Sequence, residues 1–149
     1  MKSAPPSIPN ILLVDDNCDG LLVRRSLLEE AGCTVQLARS GEEGLRLFHA
    51  TKFDLIVTDF RMPGMDGVEV IRNIRATDPN ARVILLSGFV DPLGLTEENT
   101  GADAVIAKSS QEPMHLVRAV KRLLNRTWRK PPASQKRPRP RAGVTVAGG

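Results

Sequence analysis

Residues 54–67 read DLIVTDFRMPGMDG, and the order of residue types in this stretch decides the architecture. Residues 54–58 are rich in aliphatic and β-branched residues without strict polar alternation, the pattern of a strand covered on both faces. A carboxylate, Asp59, follows at once. Pro63, Gly64 and Gly67 are turn residues, and Val68, Ile71 and Ile74 then recur at the spacing of a helix that ends before Pro79.

The same unit recurs along the chain. Short apolar runs lie at 10–14 (NILLV), 34–38 (TVQLA), 82–86 (RVILL) and 103–107 (DAVIA). Helical spacing separates them. Leu21, Leu22 and Leu28 are assigned to one helical face with Gly32 as its stop; Ser40 and Glu43 have capping-box spacing ahead of Leu45, Leu47 and Phe48. Leu116, Val117, Val120, Leu123 and Leu124 mark a last helix. Residues 89–100 are weaker, because Pro92 and Gly94 interrupt any helix there. Five strands alternating with helices predict an α/β fold, a (βα)5 doubly wound parallel five-stranded sheet.

A chain of 149 residues is about one domain with a tail. Its 41% hydrophobic and 26% charged residues are ordinary globular composition, and no apolar run reaches the roughly 18 residues of a membrane span. The opening MKSAPPSIPN lacks the apolar stretch of a secretory signal, so a cytoplasmic location is expected. Cys18 and Cys33 are too few for a disulfide framework and are expected as free thiols. His49 and His115 have no metal-ligating neighbours in sequence, and Met62, Met65 and Met114 are expected to pack.

The net charge of +4 is unevenly spread: residues 1–125 carry 14 Lys+Arg and all 17 Asp+Glu, a net of −3, while residues 126–149 carry seven basic and no acidic residues, a net of +7. The expected organisation is a disordered lead over 1–9, a folded domain over 10–125 and a basic, proline-rich disordered tail over 126–149. Such a tail can act as an electrostatic arm towards nucleic acid or acidic protein. Trp128 stands among its cations, where packing on the last helix and contact with a partner both remain open.

Open α/β sheets place their sites at the carboxyl ends of strands, where the strand order reverses. Asp15 and Asp16 follow the first run, Asp59 the third, Ser87 the fourth and Lys108 the fifth, so the fold brings all five into one crevice. Carboxylate oxygens suit Mg²⁺, lysine and hydroxyl can hold a phosphoryl group, and an Asp can itself be the nucleophile that forms an aspartyl phosphate. Asp16 or Asn17 also fits as the cap of the first helix.

With ILLVDDN, DLIVTDFRMPGMDG, VILLSG and GADAVIAK, the chain resembles, over about residues 8–125, a stand-alone receiver domain of bacterial two-component response regulators. The resemblance implies a flavodoxin-like receiver fold that signals through protein contacts rather than as an enzyme. It implies Asp59 as phosphoacceptor, Mg²⁺ bound by Asp16 and Asp59 directly, by Asp15 through water and by the backbone carbonyl of Arg61, and Ser87 and Lys108 on the phosphoryl group. The implied partner is a histidine kinase or histidine phosphotransfer protein, with an unidentified downstream protein and no membrane. Two positions depart from the family pattern: Val105 replaces its usual aromatic switch, and Ser109 replaces the proline that commonly follows its lysine.

Rival readings fit less well. A phosphotransferase of the haloacid dehalogenase type needs a second Asp two residues after its nucleophile, and that position is Arg61. No GxGxxG follows the first strand and no GK[ST] is present, which removes the common nucleotide-binding loops. A basic-tailed adaptor for nucleic acid or acidic protein, with phosphorylation secondary, remains the alternative. No helix-turn-helix length or periodicity follows the domain, so output is expected from protein contacts or from the tail.

Overall fold

The computed structural model describes residues 8–88 and 94–128, with side chains up to Asn125 in the last helix. The elements are β1 (Asn10–Val14), α1 (Cys18–Glu30), β2 (Thr34–Ala38), α2 (Gly41–Ala50), β3 (Leu55–Asp59), α3 (Gly67–Thr77), β4 (Val83–Ser87), α4 (Glu97–Thr100), β5 (Ala104–Ala107) and α5 (Glu112–Trp128). All strands are parallel, in the order β2-β1-β3-β4-β5. The doubly wound (βα)5 sheet read from the sequence is therefore the fold, and its strand order reverses between β1 and β3.

Side chains alternate across the sheet and divide the core into two layers. Ile11 and Leu13 of β1 join Leu21, Leu28, Leu116, Val120 and Leu123 under α1 and α5. Leu12 and Val14 join Val70, Ile71 and Ile74 under α3. Each such fully buried aliphatic side chain contributes about 1.5–3 kcal/mol relative to leaving it in water. These layers fix the sheet that carries the strand-end residues.

Local chemistry starts the helices. The Asn17 side chain accepts from Gly20 N at 3.0 Å, so Asn17 rather than Asp16 caps α1. Ser40 Oγ accepts from Glu43 N at 3.0 Å, but Glu43 Oε1 accepts from Arg39 N at 2.7 Å, so the expected box at α2 closes one residue further out. Asp66 and Glu69 form a complete capping box at α3, a D-x-x-E signal the sequence reading passed over.

Several expectations are corrected. β3 and β4 begin at Leu55 and Val83, one residue later than read, so Asp59 and Ser87 are the last residues of their strands. The reason is pairing: Asp59 aligns with Leu86, and Ser87 with Ala107. Leu22 is 42% exposed, because α1 packs through Leu21 and Leu28, a full seven residues apart, and Leu22 is rotated out of that line. Met114 is 45% exposed, whereas Met62 is buried and Met65 half-buried. The described part of 89–100 holds the four-residue α4 alone, and α5 carries helical backbone to Trp128, past the composition change at Arg126. Phe89, the lead through Ser7 and the tail from Arg129 lie outside the described residues. Among the described residues no helix is long and apolar enough to cross a membrane, and both cysteines are free, Cys18 exposed and Cys33 buried.

Candidate functional site

Strand register gathers the five polar strand-end residues. Val14 pairs with Thr58, which sets Asp15 beside Asp59 across the β1–β3 boundary. Lys108 N donates to Ser87 O at 2.7 Å, which ties the end of β5 to the end of β4. The Lys108 ammonium reaches Asp59 Oδ1 at 2.5 Å. Carboxylate oxygens of Asp15, Asp16 and Asp59 lie within 4.8 Å of one another. Asp15, Asp59 and Ser87 are buried, while Asp16 faces solvent.

The loop after Asp59 turns away through a close backbone contact. Gly67 N donates to Phe60 O at 2.8 Å, and a Cβ on Gly67 would stand 2.3 Å from Asp59 O. A glycine is required there for packing space, and it brings the start of α3 against the backbone of Asp59 and Phe60. Arg61, exposed, begins the loop with its guanidinium 5.7 Å from the centre of the Phe60 ring.

Burial raises the Asp59 pKa above the ordinary carboxylate range. The Lys108 hydrogen bond opposes that shift, the Asp15 charge adds to it, and the charges of Lys108 and Arg24 work against it. An anion crowded by other anions beside open solvent is the electrostatic setting that a divalent cation relieves. The three hard oxygen donors, one of them exposed to water, match the ligand set that Mg²⁺ takes, which keeps several waters and uses one or two carboxylates.

Two residues at the site escaped the sequence reading. Arg24 Nη1 donates to Asp15 Oδ2 at 2.8 Å, and the same guanidinium donates from Nε and Nη2 to both oxygens of Glu112, at 2.8 and 3.0 Å. Burial disfavours the charged guanidinium, but the hydrogen bond and charge of Glu112, followed by Asp15, outweigh it, so its pKa is raised. Nothing in sequence links Arg24 to a residue 88 positions away. A cavity of about 510 Å³, lined among others by Asp15, Asn17, Arg24, Lys108 and Glu112, opens beside this group.

The two departures are also located. Val105 is half-buried against the α3 side of the core, and its N–H donates to Glu97 Oε2 at 3.2 Å. No cis peptide occurs among the described residues, so the Lys108–Ser109 bond is trans. His49 and His115 are exposed, away from the carboxylate cluster.

A family model described as the response regulator receiver domain matches residues 11–121. The C4-dicarboxylate transport transcriptional regulatory protein DctD of Rhizobium meliloti is 38% identical over 101 residues, 67% of this chain but 22% of that protein. The chain thus spans about a fifth of that relative. A response regulator receiver domain protein from Clostridium thermocellum superposes with a TM-score of 0.75 at 30% identity, covering 83% of this chain and 99% of that one. The response regulator TrrA of Thermotoga maritima, in complex with Mg²⁺ and BeF, superposes with a TM-score of 0.69 at 32% identity, covering 78% of this chain and 99% of that one.

Proposed function

The chain belongs to the response regulator receiver domain family, a signalling family of two-component systems, and from that premise we propose that Asp59 accepts a phosphoryl group from a phosphohistidine on a histidine kinase or histidine phosphotransfer protein. The observation that carries this reading is the contact of Asp59 Oδ1 with the Lys108 ammonium at 2.5 Å, beside the oxygens of Asp15 and Asp16. In this reading Asp15, Asp16, Asp59 and the Arg61 carbonyl hold Mg²⁺, which when bound supplies positive charge to the phosphoryl oxygens.

The chain's own residues supply the rest. The Asp59 oxygen facing away from Lys108 attacks phosphorus, the new bond being O–P and the departing group the imidazole nitrogen of the donor. Lys108 lies where it can follow the phosphoryl oxygens as charge builds on them, and the Ser87 hydroxyl can donate to a third. Output then passes to a protein partner through the surface around the strand ends.

The test uses acetyl phosphate and Mg²⁺ on the full chain, with intact mass and peptide mapping. One phosphoryl group on Asp59 is expected, with none on Asp59→Asn. Labelling of that variant elsewhere at the wild-type rate, or wild-type labelling that is independent of Mg²⁺, would overturn the assignment.

A further inference from the structure

Arg24 extends the acceptor site proposed above, and its role is argued on that reading. Its side chain is 11% exposed, and its two carboxylate partners, Asp15 and Glu112, are 3% and 10% exposed in their side chains. One half-buried arginine therefore serves two buried carboxylates. The fork of the guanidinium fits both oxygens of Glu112 at 2.8 and 3.0 Å, leaving Nη1 for Asp15. Glu112 opens α5, and its N–H donates to Ser109 O at 3.1 Å, in the segment that follows Lys108.

Gly20 supports the same arrangement independently. It sits inside α1, where alanine is the better helix former. A Cβ there would lie 3.0 Å from Arg24 Nη1 and 3.2 Å from Asp15 Oδ2. The glycine leaves the room in which the guanidinium meets Asp15.

We propose that Arg24 is a positioning residue that couples a divalent cation at Asp15 to the first turn of α5. Asp15 Oδ1 already accepts from Asn17 N at 3.0 Å and Oδ2 from Arg24 at 2.8 Å. A cation drawn to this carboxylate meets the guanidinium charge at the same group and weakens the Arg24–Asp15 contact. Arg24 then rests on Glu112 alone, and the change reaches Ser109 and α5 through the Glu112 side chain and N–H. Coupling of this kind is reciprocal: a partner that draws Glu112 from Arg24 alters cation affinity by the same factor.

The signs follow from charge. Without the Arg24 charge, the cation faces less repulsion and binds more tightly. Without the Glu112 charge, Arg24 is left uncompensated beside Asp15 and the cation binds more weakly. A residue that merely holds the fold together would shift both variants the same way.

The experiment titrates Mg²⁺ into the full chain by calorimetry and follows amide shifts by NMR. Arg24→Gln should tighten Mg²⁺ by about fivefold or more, Glu112→Gln should weaken it by a similar factor, and the double variant should lie near Arg24→Gln. Gly20→Ala keeps every charge, displaces the guanidinium, and should tighten Mg²⁺ by a smaller factor; with Glu112→Gln it carries the test if Arg24→Gln does not fold. In wild type, Mg²⁺ should shift the amides of Ser110, Gln111, Glu112 and Met114, and in Arg24→Gln it should not. Equal affinities, or shifts of the same sign in both single variants while wild type binds Mg²⁺, would overturn the coupling and leave the acceptor site standing. A wild-type chain that binds no Mg²⁺ would overturn both.

Discussion

Two guanidinium–carboxylate assemblies sit at opposite ends of the sheet. At the amino end, Arg75 near the end of α3 donates to Gly101 O from Nε at 3.2 Å and from Nη2 at 2.7 Å, to Pro79 O at 3.1 Å, to Ala81 O, and to Asp103 Oδ2 at 3.1 Å. Asp103 Oδ2 in turn accepts from Val83 N at 2.8 Å. Backbone groups surround this pair, and it fastens the α3 end to the starts of β4 and β5. At the carboxyl end, Arg24 and Lys108 face four carboxylates, Asp15, Asp16, Asp59 and Glu112, beside an open cavity. The same chemistry is satisfied by main chain at one end and left with excess negative charge at the other. The first arrangement stabilises; the second keeps an excess of negative charge that the proposed Mg²⁺ would offset.

The largest effect expected from breaking this contrast is at the amino end. Arg75→Ala strands several carbonyls and the Asp103 carboxylate, and should cost about 2–3 kcal/mol of stability in chemical denaturation. The folded fraction should still label at Asp59 at the wild-type rate; a slowed rate would mean that the two ends are not separate in function.

At the carboxyl end the sign reverses. Asp16→Asn removes a charge from the crowded cluster, so the metal-free protein should melt higher, by a few degrees. Its rise in melting temperature on adding millimolar Mg²⁺ should be largely lost. Calorimetric scans with and without Mg²⁺ measure both, and a lower metal-free melting temperature in Asp16→Asn would refute like-charge crowding.

A smaller effect is pH-dependent. The folded-state pKa of Asp59 is raised, chiefly by burial, so its contribution to stability is fully present below the unfolded value of about 3.9 and is lost as pH rises through the folded value. Asp59→Asn cannot ionise. Without Mg²⁺, its stability relative to wild type should therefore grow as pH rises from about 4 towards neutrality. A difference that stays flat with pH would remove burial as the dominant influence on Asp59.

The smallest effect concerns Arg61, exposed at the loop entrance two residues after Asp59. The hypothesis is that its side chain screens an aspartyl phosphate at Asp59 from water and that its guanidinium pairs with phosphoryl oxygens. Arg61→Ala should shorten the lifetime of the phosphorylated form a few-fold without changing how fast it forms. Quenched-flow or mass-spectrometric decay curves read this directly, and an unchanged lifetime would leave Arg61 without that role.

The strands and the five strand-end residues were legible because both signals are local. A buried parallel strand needs consecutive apolar residues, and a polar residue immediately after it can lie nowhere but the carboxyl edge, so Asp15, Asp16, Asp59, Ser87 and Lys108 could be grouped without coordinates. Helix faces were less legible. Leu22, read onto the buried face of its helix, and Met114, expected to pack, both face outward, because which side of a helix meets the sheet depends on its crossing angle and on neighbours elsewhere in the chain.

What the sequence by itself determined is the (βα)5 alternation, the end of the sheet at which the polar strand-end residues collect, and the residue types gathered there. Only the tertiary structure decided which charges meet. Arg24 and Glu112 come together because α1 and α5 cover the same face of the sheet, and Gly20 leaves space for the guanidinium to reach Asp15. Ion pairing depends on distance in space, and for residues 88 apart no periodicity or spacing along the chain encodes that distance.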